Sequence, residues 1–225
     1  MTALDMEPLW LTLKLAATVT VLLLVLATPL ALWLARSQSR IRPMIEAITA
    51  LPLVLPATVL GFYLLLAFNP NAPLGAFWLT TTGHTLTFSF AGLVIASLLY
   101  SLPFAVQPLQ TAFKALGTAP AEAAASLGAS PLDAFFSVIA PLAMRGYLTA
   151  TVLTFAHTIG EFGIVLMVGG NIPGETRVIS IAIYEQVETL DYASAHLMSG
   201  LLLGFAFLTL LALYTVNGRA GTGRP

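Results

Sequence analysis

The sequence predicts an all-α integral membrane protein, a polytopic helical bundle with about five transmembrane helices. Its 225 residues are 58% hydrophobic and 8% charged, against roughly 25% charged in an average soluble domain. The charges are also clustered, and no Asp, Glu, Lys or Arg occurs in residues 15–35, 47–113 or 192–218. Because a helix needs about 20 apolar residues to cross a bilayer, each charge-free window holds at least one span.

The apolar blocks and the breakers between them place the spans. The link of residues 111–137 is rich in alanine but carries three charges, so we expect short helices in water there. The link of residues 69–87 is too polar for a sixth span, and strands are not expected because open sheet edges cannot face lipid. Residues 1–225 are predicted to form a single transmembrane domain. The predicted spans are about 10–35, 45–68, 88–110, 142–169 and 194–217.

The basic residues predict the orientation in the membrane. With five spans, only Lys14 and Arg177 fall on one side. Lysine and arginine are enriched in cytoplasmic loops. We therefore expect the alanine-rich link and the C-terminus in the cytoplasm and the N-terminus outside. The other seven of the nine basic residues fall on the opposite side from Lys14 and Arg177, and these are Arg36, Arg40, Arg42, Lys114, Arg145, Arg219 and Arg224.

Several kinds of chemistry are not expected. A phosphate-binding P-loop needs Gly-Lys-Ser/Thr, and neither lysine is followed by serine or threonine. The absence of cysteine excludes disulfides and thiolate catalysis. A net charge of −1 argues against a nucleic-acid partner, which would need a basic face. We therefore expect no enzyme and no nucleic-acid partner. We also expect no metal, because His84, His157 and His196 do not have the spacing of metal ligands.

The alanine-rich link predicts a short helix outside the bilayer. Pro120 suits the first turn of a helix, where its missing N–H costs nothing, and Glu122 complements the positive helix end. Ala123 and its neighbours favour helix, and Gly128 ends it. From the residues alone two roles are open. The helix could be an amphipathic linker on the lipid headgroups, or it could dock into a groove of a partner protein.

The order of residues in this link resembles the EAA loop of ABC importer permeases. The pattern is Glu122-Ala123-Ala124, then Gly128, then Val-Ile-Ala-Pro at residues 138–141. The family usually has isoleucine and leucine where Val138 and Ala140 stand. The resemblance implies a type I ABC importer permease fold. It also implies that Glu122, Ala123, Ala124 and Gly128 belong to a coupling-helix loop, at about residues 114–137, which docks onto a separate ATP-binding subunit.

Four further segments resemble the molybdate permeases of this family, at residues 51–56, 100–110, 160–163 and 169–177. Sulfate and tungstate permeases are close relatives that share the Gly-Glu-Phe/Tyr-Gly element, whereas the Asn-Ile-Pro-Gly-Glu-Thr run favours molybdate or tungstate. The resemblance implies the permease subunit of an ATP-driven importer for molybdate in a bacterial inner membrane. The alternatives are a sulfate/thiosulfate or tungstate permease, or a secondary transporter.

The resemblance also implies partners. Two copies of the chain would form a homodimer around one central path, within membrane lipid. Two ATP-binding subunits would bind inside and an extracytoplasmic molybdate-binding protein would bind outside. No cofactor is expected on this chain, because ATP is used by the partner subunit.

Six residues are pathway or gate candidates. Glu161, between Gly160 and Gly163, is either a pathway or gate residue or a carboxylate paired with a helix end or a partner subunit. The second alternative is favoured, because a bare carboxylate repels an oxyanion. His157, one turn earlier, is either its partner or a separately satisfied polar group. The remaining candidates are Pro52, Pro56 and Asn171.

Two further expectations concern single contacts. Pro52 and Pro56 are four residues apart, so we expect them on one helix face, where each removes a backbone hydrogen bond. The resulting kink either shapes the packing or acts as a hinge. Arg177 either meets an anion or forms a surface salt bridge, with Glu175 or Asp191 as the expected acid.

Overall fold

A computed structural model describes residues 6–219, and every regular element in that range is helical. Arg224, which contributes to the predicted orientation, lies outside the described residues. A 3₁₀ turn at Leu51–Leu53 follows the second helix and a π-helical turn at Phe135–Ile139 follows the seventh. The helices are α1 (Glu7–Arg36), α2 (Arg42–Ala50), α3 (Ala57–Phe68), α4 (Pro73–Thr82), α5 (Phe90–Leu116), α6 (Ala119–Ser126), α7 (Pro131–Ala134), α8 (Ala140–Leu142), α9 (Met144–Ile159), α10 (Gly163–Gly169), α11 (Ile179–Glu188) and α12 (Tyr192–Arg219).

Three helices are long and apolar enough to cross a membrane: α1, α5 and the Tyr192–Ala212 part of α12. Two bent helix pairs raise the number to five if each pair is one span. On α1, the exposed Trp10 and Trp33 lie about 35 Å apart at ~1.5 Å per residue. This separation fits the aromatic belts of a bilayer whose hydrocarbon core is about 30 Å thick.

The centre of the bundle is formed by α1, α5 and α9. One face of α1 is fully buried at four-residue spacing, through Leu15, Val19, Leu23 and Ala27. This spacing places the side chains one above another along a single helix face. The hydroxyls of Thr28 on α1 and Tyr147 on α9 lie 3.0 Å apart. In lipid, helices associate through close packing and such hydrogen bonds.

Gly146 determines how closely α9 approaches α5. A Cβ at this position would lie 2.4 Å from the Ala112 Cβ and 3.3 Å from the Pro108 carbonyl oxygen. We therefore expect Gly146→Ala to separate the two helices and to lower the free energy of unfolding by about 1–3 kcal/mol. Gly200→Ala is the matched control, because nothing lies within 4 Å of a Cβ there. Equal thermal unfolding midpoints for the two variants in detergent would contradict this contact.

The second predicted span is broken rather than kinked within one helix. The segments Arg42–Leu53 and Ala57–Phe68 meet at 107°. The expectation that Pro52 and Pro56 share a helix face is wrong. Pro52 lies in the 3₁₀ turn, whereas Pro56 is extended, with ψ 135°, directly before α3. A helix continuing through Pro56 would bring its ring against the carbonyl of residue 52.

The second bent pair joins Pro131–Leu142 to Met144–Ile159 at 72°, so it begins before the fourth predicted span. That predicted span is itself divided, because α9 ends at Ile159 and α10 begins at Gly163. The third predicted span continues six residues further than expected, to Leu116. The polar second link holds α4, whose ten residues extend about 15 Å, half of a hydrocarbon core. The short helix expected in the alanine-rich link is present as α6.

Candidate functional site

The helix α6 ends through a Schellman motif, in which a residue with positive φ reverses the chain. Gly128 has φ +88°. The Ala129 N–H donates to the Ala124 carbonyl at 3.1 Å, and the Gly128 N–H donates to the Ala125 carbonyl at 2.9 Å. These are the two bonds that define the motif. The predicted helix stop at Gly128 is therefore confirmed, as is the position of Glu122 in the first turn.

The α6 segment combines one buried contact with an exposed surface. Ala124 is buried, whereas Glu122 and Ala123 are exposed. Three apolar side chains that sequence reasoning missed are also exposed, by 69–89%. The sequence could have indicated this surface, because large apolar residues are unexpected in a link that lies in water. We call these five exposed residues the α6 surface: Glu122, Ala123, Leu127, Leu132 and Phe136.

Glu46 attaches α2 to the end of α5 from which α6 departs. Its Oε1 accepts from Gln110 Nε2 at 2.6 Å and from Arg42 at 3.2 Å, and Lys114 Nζ lies 3.6 Å away. These contacts cross between α2 and α5, so they hold α2 against the last turns of α5, from which α6 departs. Sequence reasoning assigned Glu46 no role.

Glu161 lies at the centre of a buried hydrogen-bond network in the break between α9 and α10. It is 3% exposed. Ser97 Oγ donates to Oε2 at 2.5 Å, and Ser101 Oγ donates to Oε1 at 2.7 Å. Ser180 Oγ donates to the Glu161 backbone carbonyl at 2.5 Å. The partners of Glu161 are therefore α5 and α11 of the same chain, rather than the expected helix end or partner subunit.

His157 both contacts Glu161 and has polar partners of its own. Its Nδ1 lies 3.5 Å from Glu161 Oε1 and 2.8 Å from Ser101 Oγ. Because the Ser101 hydroxyl donates its one proton to Glu161, it accepts from His157 through the Nδ1–H tautomer. The imidazole also stacks on Phe104, with ring centroids 3.9 Å apart. Both sequence alternatives for His157 therefore hold in part.

The two glycines beside Glu161 differ. A Cβ on Gly163 would lie 3.2 Å from the Ala57 Cβ, at the start of α3. A Cβ on Gly160 would meet only ordinary contacts, at 3.6 Å and beyond. The break between α9 and α10 that contains Glu161 therefore lies next to the start of α3, directly after Pro56. Gly163 permits this approach, and Gly160 has no comparable contact.

Asn171 lies apart from this network, in an exposed cluster of polar side chains. Its Oδ1 accepts from Arg177 Nε at 2.8 Å, and its Nδ2 donates to Glu185 Oε2 at 3.2 Å. Arg177 Nη2 forms a salt bridge with Glu185 at 3.2 Å. The expected acids, Glu175 and Asp191, are therefore the wrong partners for Arg177.

Asp191 instead lies at the start of α12. Its carboxylate accepts from the Ser194 hydroxyl at 2.7 Å and from the Ser194 N–H at 3.2 Å. The hydroxyl bond, followed by the backbone bond, lowers the pKa of Asp191 below its usual value. The ionised form is stabilised in the fold, so this contribution is present at neutral pH and is lost as the pH falls through the lowered pKa.

Two open cavities lie towards opposite ends of the bundle. The larger, about 680 Å³, lies between α5 and α9, close to the α6 segment. The smaller, about 400 Å³, includes Lys14, His84 and Glu175 near the start of α1. Glu161 lines neither of them. The larger cavity is lined by Leu53, Pro103, Phe104, Gln107, Pro108, Thr111, Ala112, Ala115, Arg145, Gly146, Thr149 and Leu153.

Within the described residues, three helices long and apolar enough to cross a membrane, and up to five with the bent pairs, indicate a multi-pass membrane protein. Residues 27–219 match the family model described as "Binding-protein-dependent transport system inner membrane component". The chain belongs to this family. The match covers most of the chain, including the α6 surface, Glu161 and the larger cavity, whereas Lys14 of the smaller cavity lies before the matched range.

Individual relatives agree with this assignment. The chain is 54% identical over 211 residues to the molybdenum transport system permease protein ModB of Azotobacter vinelandii, covering 94% of this chain and 93% of that protein. It is 31% identical over 180 residues to the sulfate transport system permease protein CysT of Escherichia coli strain K12, covering 80% of this chain and 65% of that protein.

A solved structure shows the same fold. The inward facing MetNI methionine ABC transporter matches with a TM-score of 0.72 and 18% identity, covering 96% of this chain and 97% of that chain. At this identity the likeness shows the fold alone. The predicted ABC importer permease fold is therefore confirmed.

Proposed function

We propose that this chain is the transmembrane permease subunit of an ATP-driven importer for molybdate. The observation that carries the proposal is the 54% identity to a molybdenum transport permease along nearly the full length of both chains. The displayed helix α6 supports the coupling role. As a homodimer, the chain would form one translocation path and present two copies of α6 to two ATP-binding subunits.

The attachment of α6 explains how such coupling would work. Only Gly117 and Thr118 separate α6 from α5. On its other side α6 is joined to α9 through α7, the π-helical turn and α8. A displacement of α6 would therefore reach both helices that bound the larger cavity. ATP shifts the equilibrium between the inward-facing and outward-facing states of the importer only by binding these two states unequally. That difference has to act through the α6 surface.

The proposed orientation follows from the basic residues. The α6 end of the bundle, near Lys114 and Arg145, would lie in the cytoplasm of a bacterial cell. The N-terminus would lie outside the inner membrane, where a molybdate-binding protein would deliver the anion. ATP would bind and be hydrolysed on the separate subunit.

The structure supports different roles for the six pathway or gate candidates. We propose that Glu161 is a positioning residue, because its carboxylate is occupied by Ser97 and Ser101. Gly163 and Pro56 would fix the contact between α3 and α10, next to Glu161. Gly160 would belong to the break between α9 and α10, and Pro52 to the turn before α3. Asn171 would stabilise the exposed loop through Arg177 rather than meet the anion.

Uptake of labelled molybdate and labelled sulfate, in cells lacking this chain and with the chain restored, tests the substrate. We expect restored molybdate uptake. Restored sulfate uptake alone would contradict the proposal in favour of the second candidate, a sulfate permease, which the relationship to the sulfate permease supports. If neither uptake returned, the oxyanion assignment would be wrong.

A further inference from the structure

We propose that Glu46 is a positioning residue that makes one wall of the larger cavity follow the movement of α6. This inference rests on the proposed function, in which ATP acts on the permease through α6. It adds the second, broken span to the elements that α6 moves. The wall concerned is the 3₁₀ turn after α2, because Leu53 lines the larger cavity together with α5 and α9.

The contacts of Glu46 converge on a single oxygen atom, Oε1. Gln110 Nε2 donates to it at 2.6 Å, and Arg42 donates through both Nε and Nη2, each at 3.2 Å. Lys114 Nζ lies 3.6 Å from the same oxygen. Gln110 and Lys114 are four residues apart, so they share one face of α5, and the carboxylate of α2 meets that face. One carboxylate therefore joins the two helices.

The same cluster reaches the end of α1. Arg42 Nη1 donates to the Ser37 carbonyl at 3.2 Å, and Ser37 directly follows the last residue of α1. The ends of α1 and α5 and the start of α2 are therefore connected, next to the point at which the chain leaves α5 for α6.

Within this chain, apolar packing holds α2 only weakly. Of the nine described residues of α2, only Thr49 is buried, and Ile45 is partly buried against the core. Met44 and Ile48 are exposed by 63% and 48%. Several charges in one network stabilise more than an isolated surface pair does. The Glu46 contacts therefore supply the part of the attachment of α2 that apolar packing does not.

The helix α2 is placed to carry a cavity wall without moving α3. It continues directly into the 3₁₀ turn, which ends at Leu53. The helix is then broken at residues 54–56, and hinges between rigid elements are formed by such short non-helical segments. A displacement of the end of α5 by α6 would carry α2 and Leu53 along, while α3 keeps its close contact with α10 at Gly61.

Loss of the Glu46 charge would separate α2 from α5. Arg42 and Lys114 both lie against Oε1, at 3.2 and 3.6 Å. Without the acid two cations face each other, and like charges at short range repel. Glu46→Gln keeps the shape and an acceptor oxygen for Gln110. This variant therefore removes the electrostatic connection while the local packing is preserved.

Thiol labelling of two cavity walls tests this connection. The chain has no cysteine, so Leu53→Cys reports on the α2 wall and Thr111→Cys on the α5 wall. Both positions are exposed and line the larger cavity. The importer, with its ATP-binding subunit and binding protein in lipid nanodiscs, is treated with a neutral maleimide, without nucleotide and after trapping with ATP and vanadate. We expect trapping to lower both rates about threefold or more, because labelling follows the population of the state in which the cavity is open.

Glu46→Gln is expected to separate the responses of the two walls. The rate at Leu53→Cys should change less than about 1.5-fold on trapping, since α2 no longer follows the shift of α5 between the two states. Thr111→Cys should keep its response, because the chain itself joins α5 to α6. A retained response at Leu53→Cys, or an equal loss at both positions, would overturn the role of Glu46.

Glu185→Gln is the matched control. It removes the acid of another ion pair, with Arg177, and the side-chain exposure of Glu185 is 35%, against 34% for Glu46. This pair does not contact α2 or α5. Both walls should therefore keep their full response to trapping, and a loss at Leu53→Cys with this variant would also overturn the assignment.

A charge exchange tests the direct contact and does not depend on the glutamine variant. Glu46→Lys should abolish the response at Leu53→Cys, because it places three cations together. Adding Lys114→Glu should restore most of the response, since an acid again lies between α2 and α5. Failure of the exchange to restore any response would contradict a direct connection through this pair.

The unmodified background separates this inference from the proposed function. A response to trapping at Thr111→Cys without one at Leu53→Cys would overturn the inference alone. The absence of a response at both positions would contradict movement of the cavity by α6, and so the proposed coupling itself.

Discussion

Replacing Glu161 with leucine is expected to lower the free energy of unfolding by about 1–3 kcal/mol. The hydroxyls of Ser97 and Ser101 would lose their acceptor in a site that is closed to solvent. Hydrogen bonds between membrane helices contribute about 0.6 kcal/mol on average and up to ~1.7, and two are lost together. Thermal unfolding in detergent, followed by size-exclusion chromatography, measures the effect.

Two other variants make the Glu161 test specific. Glu161→Gln keeps the shape and one acceptor oxygen, so we expect a smaller loss of stability. Glu175→Leu removes an exposed acid and should have little effect. If Glu161→Gln assembled with full stability but lost transport, Glu161 would be a pathway residue instead. Lowered stability of Glu161→Leu with near-normal transport by Glu161→Gln is the result expected for a positioning residue.

Reversing the charge at Glu122 is expected to weaken docking of the ATP-binding subunit about tenfold or more. Glu122 is exposed in the first turn of α6, where a lysine would oppose the positive helix end. It would also place the wrong charge on a surface proposed to meet the partner. A pull-down with a titrated ATP-binding subunit gives the affinity. Glu175→Lys is the control, because it makes the same charge reversal near the start of α1, towards the opposite end of the bundle from α6.

Gly128 provides an independent test of the same helix. Its φ of +88° disfavours a side chain, whereas nothing within 4 Å would clash with a Cβ. Gly128→Val should therefore impair docking through backbone strain alone. Gly128→Asn should retain most of it, because asparagine tolerates this conformation. Undiminished docking by both Glu122→Lys and Gly128→Val would remove the coupling role of α6.

Local signals predicted part of the fold well. The spans α1 and α5 follow from charge-free windows longer than a bilayer needs. The helix α6 is predicted by Pro120, Glu122 and Gly128. Their effects are confined to one helix and its end, so the local sequence reveals them. By contrast, a proline in an apolar run can kink a helix or end it. Whether Pro56 does one or the other depends on packing against α10, far along the chain.

The polar sites depend on contacts between distant residues, so they were harder to predict. Glu161 attracted attention as a charge in an apolar segment, yet its partner Ser97 is 64 residues away. Arg177 has four acids within 14 residues along the chain, and only the fold selects Glu185. The larger cavity draws its lining from α5, α9 and the turn at Leu53. No local pattern connects those three segments.

ATP-dependent molybdate uptake by the reconstituted importer tests the central claim most directly. Proteoliposomes containing this chain, the ATP-binding subunit and the molybdate-binding protein are supplied with internal ATP or with a non-hydrolysable analogue. The account predicts uptake with ATP alone, and loss of that uptake in Glu122→Lys. Uptake that persists with the analogue and follows an imposed ion gradient would contradict it and indicate a secondary transporter.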